Sequence, residues 1–284
     1  MAIIVNTNMS ALKTQRNLNK ATNSLNNSLE RMSTGLKINK AADDAAGMYI
    51  ATSLATQISG SKVAQSNLET GNNVLSIVEG NLDVVLDNLS RIRDLAVQAA
   101  NGVYNAAART AMSDEVKVRS AEITRIAKSA DFNGLKLLDG TITKDLKLQV
   151  GANADAATNS ISIDKDVFAE ITGAGILAAD AAITTSFATA TAAAAFIATV
   201  DTAMVGINTR KTAIGVIQNR LASASDSLVT TIENATAAKS TIMDADIAEE
   251  SAEFTKQQIL RQSSASLLVQ ANSMPSIALN LIAG

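Results

Sequence analysis

The chain contains no cysteine and no histidine. Without Cys there is no disulfide, no thiolate nucleophile and no cysteine-ligated zinc. Without His, the commonest general base and the commonest metal ligand are both missing. The expectation is therefore no enzyme, no cofactor and no metal site. Tryptophan is absent too, and aromatics make up 2% of the residues. A core must then be built from Ala, Leu, Ile and Val, which suits helices packed closely side by side. A single proline, Pro275, leaves almost nothing to interrupt a helix from within. A net charge of −3 argues against broad nucleic-acid binding. No run of 18 apolar residues is found, so no membrane span is expected. The opening residues lack the apolar h-region of a cleavable signal.

What the 284 residues do have is heptad spacing. Leu18, Thr22, Leu25, Leu29, Met32 and Leu36 alternate steps of four and three, a stripe down one helix. Gly35 breaks it, and Asp43 or Asp44 can cap the next helix. That second helix carries Ala64, Leu68, Gly71, Leu75, Val78, Leu82, Val85, Leu89, Ile92, Ala96 and Ala99 at the same spacing. Running from about 44 to 100, it would span roughly 85 Å at 1.5 Å per residue. Asn101-Gly102 is expected to end it in a left-handed turn. Met112, Val116, Arg119, Ile123, Ile126 and Ala130 mark a third helix, ended by "DFNG". Then the period changes. "LKLLDGTITKDLKLQVG" reads as a hairpin and "NSISIDKDVF" as a strand, within a small surface excursion over about 140–190. Helix returns with Phe196, Val200, Ala203, Ile207, Arg210, Ile214, Ile217, Leu221, Ala224 and Leu228. In the last helix, over about 245–282, Leu260, Leu267, Met274 and Leu281 stand seven apart, with Leu268, Val269 and Ile277 widening the face.

The fold class that follows is mainly α: a long, antiparallel, coiled-coil-like bundle, a small β-hairpin region mid-chain, and paired terminal helices. The expected parts are 1–42 (first terminal segment), 43–139 (long helices), 140–190 (short central region), 191–240 (returning long helix) and 241–284 (last terminal segment). Charge supports pairing of the ends. Residues 1–40 hold six basic side chains against Glu30 alone, and 241–253 hold five acids and no base. The terminal helices have two apolar stripes and little else to cover them. The first is also asparagine-rich, with eight Asn in 40 residues, a weak helix former. Such ends are expected to order fully only when copies assemble. The bland alternative is a monomeric bundle with frayed ends. Asp43-Asp44 reads as a cap rather than a metal pair, and "DGTITKD" lacks the spacing and final Glu of a calcium loop.

Four stretches together resemble bacterial flagellin along nearly the whole chain. They are "IIVNTNMSALKTQRNLNKATNSLNNSLERMSTGLKINKAADDAAGM", "LSRIRDLAVQAANG", "DFNGLKLLDG" and "QQILRQSSASLLVQANSMPSIALNLIAG". Only about 140–190 carries no family motif, so the chain looks like a flagellin with little or no outer domain. The resemblance implies a secreted, extracellular subunit of the flagellar filament, a helical homopolymer used for swimming. It implies unfolded export through the flagellar type III apparatus. The implied partners are further copies of itself, an export chaperone, the filament cap and hook-junction proteins. Leu18, Leu25, Leu29, Met32, Leu260, Leu267, Met274 and Leu281 would then line the polymer's inner core. Recognition by Toll-like receptor 5 is implied for Arg91, Leu95 and Gln98, on one helix face beside the core stripe, with Glu115 and Arg119 from the next helix. Asp94 stands where many relatives carry Glu. Ser160, Ser162, Thr172, Thr184, Thr185 and Ser186 are candidate O-glycosylation sites, as some flagellins carry. A hook–filament junction protein, which shares the paired ends, is the alternative function. A secreted enzyme on the same export route would need a catalytic insert larger than the central region.

Overall fold

The computed structural model describes residues 7–177 and 179–283, excluding the side chains of 156 and 275–283. Two compact units emerge: Met1–Ile58 with Glu233–Gly284, and Ser59–Ile232. The expected boundary at 42/43 falls in the loop between the first two helices, and that at 240/241 falls inside the last turn of the long helix that ends at Met243. The units themselves divide inside two long helices.

The first unit contains α1 (Met9–Thr34) and α8 (Ile247–Ala283). Asn8 caps α1, its side chain accepting the Ala11 N–H at 3.0 Å. Gly35 ends it in the left-handed region at φ 71°, its N–H returning to the Arg31 carbonyl. Asp246 caps α8, its Oδ1 accepting the Ala248 N–H at 2.8 Å. The two helices run antiparallel. Asn8 donates to the Ala271 carbonyl at 2.7 Å, and Arg31 faces Glu250 at 3.8 Å. The seam differs from the expected stripe. Ala21, Leu25 and Ser28 of α1 and Ala271 of α8 are buried, and Phe254, Gln257, Arg261, Ser264 and Leu268 of α8 are half-buried. Thr22 is only half-buried and Leu29 faces out. Ala21, Ser28 and Ala271 let the two helices approach closely there, and Leu29, Leu260 and Leu267 are left outside.

The links into these helices are joined by main chain. Lys37 N–H donates to the Met243 carbonyl at 2.6 Å, and Ala245 N–H to the Gly35 carbonyl at 2.9 Å. Ile38, Ala51 and Met243 form a small cluster beneath them. Asp44 caps α2 (Ala45–Ala100), accepting the Gly47 N–H at 2.9 Å. The Asp43 carboxylate accepts the N–H groups of Lys40 and Asn39, which hold its pKa below the ordinary value.

The second unit packs α2 from residue 59, α3 (Ala106–Ser129) and α7 (Ala190–Met243) as far as 232. Every member of the expected α2 stripe, from Ala64 to Ala99, is buried. The α7 stripe is buried from Phe196 to Leu221, except for a half-buried Arg210. That guanidinium donates to the Ala169 carbonyl at 2.8 Å, and burial lowers its pKa. Arg93–Asp201 at 2.6 Å and Lys211–Asp83 tie α2 to α7. α7 also contains a window of mean hydropathy 1.6, long and apolar enough by composition to cross a bilayer. This corrects the expectation that no such segment exists. The apolar stripe of α7 nevertheless belongs to the core of this unit.

Three local expectations change. First, Asn101 and Gly102 are not left-handed. Among the described residues, positive φ is confined to Gly35, Asn133, Gly134 and Gly140. α2 instead ends with Asn101 N–H on the Gln98 carbonyl at 3.1 Å, and Asn101 Oδ1 accepting from Val103 at 3.2 Å. Second, "DFNG" is no helix end. α3 stops at Ser129, and Asn133-Gly134 makes the two-residue turn between β1 (Asp131–Phe132) and β2 (Leu135–Lys136). Residues 135–151 therefore form no hairpin of their own: β3 (Leu146–Gln149) pairs antiparallel with β4 (Ser160–Ile163). Third, the central region is no surface excursion. Between and beyond the strands lie α4 (Ala156–Asn159), a 3-10 turn (Lys165–Phe168), α5 (Gly173–Ile176) and α6 (Asp180–Ser186). Ile161, Ile163, Val167, Phe168, Ile171, Leu177, Ile183 and Phe187 join the cluster of α2, α3 and α7. Phe187 and Phe196 meet edge to face at 5.6 Å. Gly71 on α2 makes room for Leu148 of β3, which a Cβ would meet at 2.3 Å.

Candidate functional site

The residues expected to line a polymer interface separate into two groups. Leu25 is buried in the α1–α8 seam, and Leu18 and Met32 are half-buried beside it. Leu29, Leu260, Leu267 and Met274 point outward, the last three with 44%, 52% and 61% of their surface exposed. Leu281 lies outside the described side chains. Met9, Leu12, Ile259 and Val269 are exposed on the same two helices. The seven-residue count passed over Leu12 and Ile259. Against this outer surface, the buried apolar residues of the first unit, among the described side chains, are Ala21, Leu25, Ile38, Ala51, Ala235, Met243 and Ala271. Four of the seven are alanine.

The second group is a polar surface on α2 and α3. Arg91 Nε donates to Glu115 Oε1 at 3.2 Å, and Arg119 Nε donates to the same oxygen at 3.1 Å. Arg119 also reaches Asn88 Oδ1 at 3.3 Å. One carboxylate thus holds two guanidinium groups. Its pKa lies below the ordinary glutamate value, chiefly through the Arg119 hydrogen bond and then through Arg91. Gln98 donates to the Tyr104 hydroxyl at 2.9 Å. Leu95 departs from the expectation. It is only 3% exposed and belongs to the core, not to a face beside it. The stripe widens here, because Leu95 follows Ile92 by three and precedes Ala99 by four. The structure therefore brings Arg91, Glu115 and Arg119 together, keeps Gln98 exposed nearby, and withdraws Leu95. Asn88 and Tyr104, which sequence spacing did not single out, complete the hydrogen bonding.

The candidate glycosylation residues are spread over the central region. Ser162, Thr184 and Thr185 are exposed. Thr184 and Thr185 donate to the carbonyls of Asp180 and Ala181, and Ser186 to that of Ala182. Thr172 caps α5 through Gly175 at 3.0 Å. Ser160, at the head of β4, is half-buried.

One helical unit with a continuous apolar core, and one helix pair that leaves large apolar side chains exposed, define a mainly helical class of protein. The comparisons name the family. Models of the bacterial flagellin N-terminal helical region and C-terminal helical region match residues 5–143 and 197–282. Flagellin FlaB2 of Treponema pallidum is 36% identical over 290 residues, covering 99% of this chain and 100% of that protein. Flagellin of Bacillus subtilis is 36% identical over 306 residues, covering 98% and 99%. A Vibrio parahaemolyticus protein described as flagellar hook-associated shares the fold, with a TM-score of 0.61 at 19% identity. It matches 71% of this chain and 100% of that one. The chain belongs to the bacterial flagellin family, whose members are structural proteins of the flagellar filament.

Proposed function

We propose that this chain is a secreted subunit that polymerises through its first unit into the extracellular filament that drives swimming. The observation that carries this is the outward apolar face of α1 and α8. Leu12, Leu29, Ile259, Leu260, Leu267, Val269 and Met274 are all exposed. Burying each such side chain contributes about 1.5–3 kcal/mol, and a neighbouring copy is the surface that a filament offers. The same assembly would supply the ordering that weak helix formers in α1 lack alone.

Unfolded export through the flagellar type III apparatus fits a chain with no cysteine to cross-link it. An export chaperone, the filament cap and hook-junction proteins are the partners that route requires. Toll-like receptor 5 is proposed to read the Arg91–Glu115–Arg119 surface of the monomer, with Gln98 at its edge. Ser162, Thr184 and Thr185 are the hydroxyls best exposed for O-glycosylation.

The test is seeded polymerisation of Leu260→Asp and Leu267→Asp. Both positions are exposed in the single chain, so the monomer should keep its helical circular dichroism while tubes disappear from electron micrographs. Normal filaments from both variants would remove the interface from α8.

A further inference from the structure

Sequence charge alone pairs the basic first segment with the acidic last one. The structure separates them. Because α1 and α8 run antiparallel, with Asn8 at Ala271 and Arg31 at Glu250, the bases of early α1 lie beside the acid-free part of α8. Residues 8–20 and 260–274 hold Lys13, Arg16, Lys20 and Arg261 and no acid. The remaining side chains of the first unit hold five bases against nine acids. The unit is neutral as a whole but polar along its length. Lys13, Arg16 and Lys20 are exposed, spaced by three and four, and so share one face. Glu249 and Glu253 share a face at the other end. Arg31, with Glu250, is the α1 base that meets these acids across the pair. Among the described residues, Lys13, Arg16, Lys20 and Arg261 make no ion pair.

Distance decides what this separation is for. By the Asn8–Ala271 and Arg31–Glu250 register, Lys20 stands roughly 12 Å along the pair from Glu253, beyond a screening length of about 8 Å at physiological salt. The two clusters therefore gain almost nothing from each other within one chain. Glu253 already holds Lys256 at 3.0 Å within the chain, and the other charges of the two clusters gain when another copy brings opposite signs together. Copies in equal orientation and at equal height would set like charge against like. A copy displaced along the pair sets Lys13, Arg16 and Lys20 against Glu249 and Glu253. Such a contact is head to tail, does not close on itself and propagates.

We propose that this charge separation is the register device of self-assembly: the basic face of α1 docks on the acidic face of α8 in a second, axially displaced copy. The proposal rests on the polymerisation reading above and adds the partner surface to it.

The test uses full-length chains and two charge-reversed variants that leave the Arg31–Glu250 pair intact. One combines Arg16→Glu with Lys20→Glu; the other combines Glu249→Lys with Glu253→Lys. Each alone presents like charge at both faces, and its critical concentration should rise at least about tenfold over the unmodified chain. An equimolar mixture should return to within about twofold, because the reversed α1 face of one variant meets the reversed α8 face of the other, and the two native faces meet likewise. Either variant assembling as well as the unmodified chain overturns the proposal. So does a mixture no better than its components. Closed dimers of the unmodified chain in sedimentation would also overturn it, since an antiparallel dimer satisfies the same charges without propagating. If the unmodified chain itself forms no tubes when seeded, the polymerisation reading fails instead.

Discussion

Glu115 shows how one side chain can organise a surface. Two guanidinium groups converge on its Oε1, and both stabilise the ionised form. Its folded pKa is therefore depressed below the ordinary value near 4.5. The stabilisation it adds is present above that value and is lost as the pH falls through the folded pKa. The carboxylate is over a third exposed, so solvent screening limits the effect to about 0–1 kcal/mol. Glu115→Gln should flatten the acid limb of a stability-against-pH curve and leave stability near pH 7 within that range. Arg91→Ala should weaken receptor signalling by the monomer and leave its melting temperature nearly unchanged. Equal signalling would remove Arg91 from the recognition surface. Leu95→Ala cannot serve as the companion variant. The leucine is buried, and its loss would destabilise the fold by about 2–5 kcal/mol.

At the scale of elements, two helix surfaces with the same heptad pattern behave in opposite ways. Leu82 on α2 is fully buried in the second unit. Leu82→Ala should cost about 2–5 kcal/mol in denaturant unfolding. Leu267 on α8 is half exposed, and Leu267→Ala should stay within about 0.5 kcal/mol as a monomer. The contrast explains what the sequence made legible. The α2 and α7 stripes were readable because a period of 3.6 marks one face and a single chain buries that face. On α1 the stripe only partly marks the seam: Leu25 is buried with Ala21 and Ser28, while Leu29 is left outside. The same ambiguity of address hid the role of Leu95. The "DFNG" turn was misread because Asn-Gly suits a helix end and a hairpin equally well. Phe168, Ile171 and Ile183 were unreadable as core because short irregular segments have no period to count. The Arg91, Glu115 and Arg119 cluster came from a family resemblance. Its shared carboxylate needed coordinates, because α2 and α3 approach each other there by packing.

The whole chain divides its stability unevenly. The second unit owns one continuous apolar cluster drawn from three long helices and the central region. Among its described side chains, the first unit buries mostly alanine. Hydrogen exchange of the dilute monomer should therefore be slowest in peptides from 75–99 and faster in 9–34 and 247–270. Incorporation into filaments should slow the latter two. Equal protection of all three in the monomer would contradict the need for neighbours. The joint at Lys37–Met243 and Ala245–Gly35 stands apart from this imbalance, since it uses backbone atoms alone. Any residue except proline can supply such a donor. Mutation can therefore rewrite the outward lettering of both arms, and with it their choice of neighbour, while the pin that aligns them asks for little beyond the glycine that its left-handed turn at Gly35 favours.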